Sequence, residues 1–273
     1  MQFITNNATH HFFKKITLKQ PMYLTISFVV ACSISLFFIS LKATAQAQTT
    51  ILVAMHIEPP FSEIINGEFV GENIDLANAL ANQAGYNARF VYCPIARCFS
   101  LIQSGQADMF VAVRKTELRK QFLTYIEPPI KIQKLPLRFY IRTENKITLN
   151  SYKDLRPLTV GVLRGASYFD KFDHDTQIKK IPLTNHQQLI DMLLKGRIDT
   201  FLEREESIMP LVDQNVYATR IKLAKFSYDK SVGSYIAISK NSNLEHEKEH
   251  FSNAFQTLSN SGELMEILNK TRR

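Results

Sequence analysis

The chain has 273 residues, of which 45% are hydrophobic and 21% charged, with nine glycines and ten prolines. That composition excludes a collagen-like, low-complexity or disordered protein. The formal net charge is +8, yet arginine-rich tracts and basic-aromatic alternation are missing, which argues against a nucleic-acid partner.

Half of the positive excess belongs to Lys14, Lys15, Lys19 and Lys42, all within the first 47 residues. That segment has no acid, and Met22 to Leu41 is a nearly continuous apolar run. The pattern predicts a secretory signal over residues 1–47, with small-x-small cleavage patterns at Ala43-Thr44-Ala45 and Ala45-Gln46-Ala47. An uncleaved anchor is the alternative, because roughly 20 apolar residues can span a bilayer. Val29-Val30-Ala31-Cys32 has the look of a lipoprotein processing box, but the chain stays apolar beyond Cys32, where a polar tether is needed. Cleavage leaves Cys93 and Cys98. In an exported chain two thiols five positions apart predict a local disulfide, and no Cys or His pair nearby completes a metal site.

Ile51 to Met55 predicts a strand that Pro59-Pro60 cannot continue. Asn66-Gly67 marks a turn, and Ile74, Ala77, Leu80, Ala81 and Ala84 recur at helical spacing until Gly85. A strand over Ala88 to Tyr92 and a helix over Cys98 to Gln103, closed by Gly105, come next. The stretch from Ser104 to Pro129 organises this half. Asp108 opens the buried strand MFVAV, and basic residues follow at once, with Thr116 placed to cap a short helix. Residues just past the carboxyl end of a strand in an open α/β sheet face the ligand crevice, so Arg114, Lys115 and Arg119 are candidate anion anchors.

Ser151 can cap a short helix ahead of a strand over Leu158 to Leu163. Gly165-Ala166-Ser167 then leads into a helix expected near Tyr168, and backbone amides at such a turn can cradle an anion. The turn lacks the Gly-Lys-Ser/Thr ending of a phosphate loop. Asn185 opens a helix that Gly196 closes, Thr200 to Glu203 predicts a strand, and the short helix behind it is expected to end at Pro210 or just beyond. Ser234 to Ser239 reads as a strand. Leu244, Phe251, Ala254, Phe255 and Leu258 make one helical stripe, and Leu264, Ile267 and Leu268 a last one. Ser104-Gly105-Gln106-Ala107-Asp108 is echoed by Lys195-Gly196-Arg197-Ile198-Asp199, which predicts two related α/β lobes. His246-Glu247-Lys248-Glu249-His250 satisfies H-E-x-x-H, but its surroundings are charged all round. It is read as a solvated helix face, with no metal site.

The order of SGQAD, an apolar strand, TELR and YIEPP resembles the family 3 extracellular solute-binding proteins, the amino-acid-type receptors of ABC importers. PPF at 59–61, GENIDLANALA at 71–81, VGVLRGAS at 160–167, KGRID at 195–199 and YIAISK at 235–240 extend the likeness. It implies an α/β, two-lobed periplasmic-binding-protein-like fold (type II), with the ligand cleft between lobes joined by two hinge crossings. Residues 48–130 plus 233–273 would form lobe 1, and 131–232 lobe 2. The implied protein is a periplasmic monomer that captures an anionic or zwitterionic solute for ABC transporter membrane subunits, without a cofactor. A dehydratase-like enzyme using Glu58 and Glu203, or a sensory binding protein, are the alternatives.

By the same likeness Arg119 grips a ligand carboxylate, helped by the turn of Gly165, Ala166 and Ser167, while Glu58, Ile95 and Tyr125 contribute to the cleft. The family usually has Thr or Ser where Ala166 stands. The family also places an aspartate for the ligand's ammonium group where this chain has Arg204, and a cation cannot do that work. Because strand residues alternate in direction, Glu203 and Arg204 are not expected to face the cleft together. Arg204 would then join Arg114 and Arg119 in favouring a ligand with more than one negative group, such as a dicarboxylate. If the strand ends before Arg204, Glu203 or Glu205 could turn inward instead.

Overall fold

The computed structural model describes residues 48–212 and 217–270. The predicted signal, with Cys32, lies outside them. Two five-stranded sheets organise the described chain. The first contains β1 (Thr49–Met55), β4 (Tyr86–Tyr92), β5 (Met109–Arg114), β6 (Leu123–Gln133) and β12 (Val232–Ser239), in the order β4-β1-β5-β12-β6. The second contains β7 (Leu137–Arg142), β8 (Thr159–Leu163), β9 (Lys179–Leu183), β10 (Thr200–Arg204) and β11 (Ile221–Tyr228), in the order β11-β7-β10-β8-β9. A small hairpin, β2 (Glu63–Ile65) with β3 (Glu68–Val70), follows the first strand.

The inner strands β1 and β5 of the first sheet are nearly continuous apolar runs because both their faces are covered. Val53 and Met55 point to helices α1 (Glu72–Gln83), α7 (Lys248–Ser261) and α8 (Glu263–Lys270), against Leu76, Leu80, Phe251 and Phe255. Ala54 points the other way, to α2 (Ile95–Gln103), where Cys98 and Ile102 are fully buried. The second sheet repeats the plan. Phe139 and Leu202 pack with Phe169 and Phe172 on one face, while Tyr140 and Phe201 pack with Leu189 and Leu193 of α5 (His186–Leu194) on the other.

The echoed acids explain why the lobes look alike. Asp108 Oδ2 accepts from the Leu52 amide at 2.7 Å, and the Asp108 amide donates to the Leu52 carbonyl at 2.8 Å. Asp199 does the same with Thr159, at 2.8 and 2.9 Å. Each acid stitches its strand to a parallel neighbour, just after a glycine whose positive φ ends the preceding helix (Gly105, +72°; Gly196, +67°).

The chain passes between sheets twice, through residues 134–136 and 229–231. These crossings run side by side, since Gln133 pairs with Val232 on one side and Leu137 with Tyr228 on the other.

The short helix α6 (Glu205–Val212) ends just beyond Pro210, as expected, and one local expectation changes. The helix expected near Tyr168 starts two residues later, as α4 (Asp170–His174), because the Asp173 carboxylate takes the Tyr168 amide ahead of the first turn. Pro128 and Pro129 sit within β6. This is an edge strand, and the β6–β12 register shifts beside them, so their missing amides interrupt no central ladder. The thiols of Cys93 and Cys98 are joined in a disulfide that ties the end of β4 to α2. Replacing both by serine should lower unfolding stability by about 2 kcal/mol for so short a loop, measured by denaturant titration without reductant.

Candidate functional site

The carboxyl ends of strands from both sheets converge on a cavity of about 70 Å³. Seven side chains of Arg, His and Glu line it: His56, Glu58, Arg114, Arg119, His186, Glu203 and Arg204. Ligand crevices of open α/β sheets form at such strand ends.

Glu58 and His56 come from the loop after β1. That loop closes on itself, with the Ser62 hydroxyl donating to the His56 carbonyl at 2.7 Å and the Phe61 amide to the Glu58 carbonyl at 2.8 Å. His56 Nε2 lies 3.1 Å from Glu58 Oε2, while Ser207, from α6 of the other lobe, donates its hydroxyl to Glu58 Oε1. Burial pushes the Glu58 carboxyl up. The hydrogen bond and charge of His56, with the charges of Arg204 and His186, outweigh it and hold the carboxyl well below the usual range.

Arg114 ends β5, two residues after Ala112, whose φ is +64°. A left-handed alanine in a strand costs roughly 1–2 kcal/mol. It coincides with a register shift between β5 and β12, the kind of bulge that re-aims neighbouring side chains. Phe110, Ala112, Val113 and Arg114 all line the cavity as a result. Arg114 is 8% exposed. Its Nη1 donates to the Tyr168 carbonyl, whereas its Nε is buried with no partner among the described residues. Burial, followed by the charge of Arg204, lowers its pKa to about 10, so it remains charged at neutral pH.

Thr116 caps α3 (Glu117–Lys120) by accepting from the Arg119 amide at 3.2 Å. This sets the Arg119 side chain, also 8% exposed, against the Phe99 ring at 4.1 Å. Its two terminal nitrogens donate to the carbonyls of Arg114 and Gly165, each at 3.0 Å.

Glu58, Ile95, Arg114, Arg119, Ala166, Ser167 and Arg204 thus meet at one cavity, and two expected residues do not. Tyr125 stands behind it, donating to the Arg114 carbonyl at 3.2 Å. Gly165 turns its carbonyl to Arg119 and lines a larger groove of about 680 Å³ outside. Two donors of the expected anion cradle are engaged internally. The Ala166 amide donates to Leu163 at 3.0 Å and the Ser167 hydroxyl to Asp173 at 2.9 Å.

Glu203 and Arg204 both line the cavity, contrary to strand alternation. The cause is the junction: β10 ends at Arg204 and α6 begins at Glu205, so period-two geometry stops there. Glu203, 6% exposed, lies 3.2 Å from His186 Nε2 and accepts the Arg204 amide at 3.2 Å. Burial lowers the pKa of His186, but the hydrogen bond and charge of Glu203 raise it above its ordinary value of 6.5. His56, His186, Phe99 and Tyr168 were not anticipated. Both histidines follow strand ends, β1 and β9, and the rule that selected Arg114 applies to them equally. In the H-E-x-x-H segment, His250 Nε2 lies 2.9 Å from the Ala84 carbonyl and His246 belongs to a 3₁₀ turn, Asn243–Glu247.

A sequence profile described as bacterial extracellular solute-binding proteins, family 3, matches residues 51–271. No curated protein matches the chain. Among solved structures, an ancestral arginine-binding protein bound to arginine is 24% identical with a TM-score of 0.68, covering 81% of this chain and 97% of that one. The amino acid ABC transporter substrate-binding protein AbpA of Streptococcus pneumoniae, bound to L-arginine, is 22% identical with a TM-score of 0.67, covering 83% and 95%. The GluR0 ligand-binding core of Nostoc punctiforme, in complex with L-glutamate, is 18% identical with a TM-score of 0.65, covering 81% and 98%. Likeness at these identities establishes the fold.

Two outcomes follow from the geometry. A Cβ on Gly165 would stand 2.9 Å from the Ala96 Cα in the opposite lobe, at a φ of +83°. Gly165→Ala should therefore hold the lobes apart, giving a larger radius of gyration by small-angle scattering with little change in helix content. The His186–Glu203 pair stabilises the fold fully below the unfolded histidine pKa, and this contribution is lost as pH rises through the raised folded value. Thermal melts from pH 5 to 9 should show the gap between the native chain and Glu203→Gln narrowing as pH rises.

Proposed function

Because the chain belongs to the bacterial extracellular solute-binding proteins of family 3, we propose that it is an exported receptor that captures a small carboxylate-bearing solute for an ABC importer. The solute class is an amino acid or a related organic anion. The observation that supports this most is the convergence of Arg114, Arg119 and Arg204 on one cavity walled by both lobes. Buried guanidiniums favour carboxylates, because charge-assisted hydrogen bonds strengthen where water is excluded. The paired crossings at 134–136 and 229–231 suit a hinge, and closure over a solute is the shape that a membrane partner reads.

Purified protein should be warmed with a panel of amino acids and organic acids, and the shift in melting temperature recorded. A ligand that binds only the folded chain raises it by mass action. Arg119→Ala should abolish that shift, since removing one partner of a desolvated charged contact costs roughly 2–5 kcal/mol. Arg119→Lys should be impaired as well, because an ammonium lacks the planar fork. An unchanged shift in both variants would remove Arg119 from the ligand.

A further inference from the structure

Three arginines and two glutamates line the central cavity, leaving one positive charge with both histidines neutral and more when either is protonated. The two carboxylates are engaged. Glu58 is held by His56 and Ser207, and Glu203 by His186 and the Arg204 amide. The guanidiniums are less fully satisfied: Nε of Arg114 and Nε of Arg204 are buried without partners among the described residues. A zwitterion would bring an ammonium group into this positive field, where every carboxylate oxygen already has a partner. A net anion would receive the two unpartnered donors and cancel the excess. A buried polar group left unpaired is costly, and more so when charged, so this difference selects between the two.

A second chamber, of about 240 Å³, adjoins this one and shares His56, Ile95, Leu163 and His186 with it. Its other walls include Ile57, Pro59, Tyr92, Pro94 and Leu211, and no Lys, Arg, Asp or Glu lines it. Thr184, Asn185 and Gln187 complete the lining, so a ligand lodged between the arginines would extend its body into an uncharged, mainly apolar space. Because Glu203 lies beside Arg204, the charge to be cancelled is smaller than three arginines alone would suggest. This favours a single anionic head with an apolar arm over a compact dicarboxylate.

We propose that the cleft selects an organic acid of net negative charge with an apolar arm, its anionic head between Arg114 and Arg204 and its arm in the chamber lined by Ile57, Tyr92 and Leu211. The inference rests on the receptor reading above and names the solute class for that same site.

Isothermal titration of the purified full chain with hydrocinnamate, L-phenylalanine and succinate decides it. The first two share an aryl arm and differ by the ammonium group, while succinate has two carboxylates and no arm. Hydrocinnamate should bind about tenfold or more tightly than either of the others, the scale expected for about 1.4 kcal/mol. Arg204→Ala should erase its advantage over L-phenylalanine. Leu211→Asp, at a half-buried position, should weaken hydrocinnamate and leave succinate unchanged. L-phenylalanine binding as tightly as hydrocinnamate, or no binding of hydrocinnamate, overturns the inference. Succinate binding more tightly overturns the apolar arm. If hydrocinnamate fails while an amino acid of the wider panel gives an Arg119-dependent melting shift, the inference falls and the receptor reading stands. If no solute shifts the melt, the receptor reading fails first.

Discussion

One guanidinium spans the two lobes: Arg119, rooted in the first, donates to the Arg114 carbonyl beside it and to the Gly165 carbonyl across the cleft. Neither acceptor is a carboxylate. A buried cation without a formal counter-ion is expensive, and burial accordingly lowers the Arg119 pKa to about 10. The charge is offset by carbonyl dipoles, the Phe99 face and the negative charge of Asp173 behind the turn. Other contacts cross the cleft beside it. The Gly165 backbone lies against Ala96, Arg114 reaches the Tyr168 carbonyl, and Ser207 reaches Glu58.

These bridges differ in what they leave for a solute. Glu58–Ser207 consumes an acceptor, whereas Arg114–Tyr168 uses one nitrogen of a five-donor group and leaves its Nε buried without a partner. The other partners of the two carboxylates lie within their own lobes, His56 for Glu58 and His186 with the Arg204 amide for Glu203. The asymmetry lies in which buried donors stay unpaired, and a plain count of charged residues would not reveal it.

Much of the fold was legible because it is written in local signals. Gly105 and Gly196 end helices at positive φ, Thr116 and Asn185 cap helices with their side chains, and the apolar runs of β1 and β5 are buried on both faces. The echo of Asp108 in Asp199 was visible as residues, though its cause, the same stitch to a neighbouring strand in each lobe, needs tertiary contacts. Strands β7, β9 and β11 were not foreseen. Lys179-Lys180-Ile181-Pro182-Leu183 has a proline and two lysines, and is a strand because it is the outer edge of its sheet.

The site was legible as a list of chain positions, and less so as side-chain directions. Arg114 was found by its place after a strand, but the left-handed Ala112 that aims it has no signature in MFVAV. Tyr125 and Gly165 followed from likeness to a family, and here one braces a backbone carbonyl while the other accepts a hydrogen bond across the cleft. Glu203 and Arg204 expose the limit of period-two reasoning most clearly. The rule that separates neighbouring side chains holds only while the chain stays extended, and here the helix starts at the very next residue. Functional side chains gather where one kind of secondary structure gives way to another, because there the backbone can turn consecutive residues toward a single point. A pattern read from either element alone is least reliable at that junction, so a chemical departure such as Arg204 has to be weighed together with the partner it brings along, here Glu203 and through it His186.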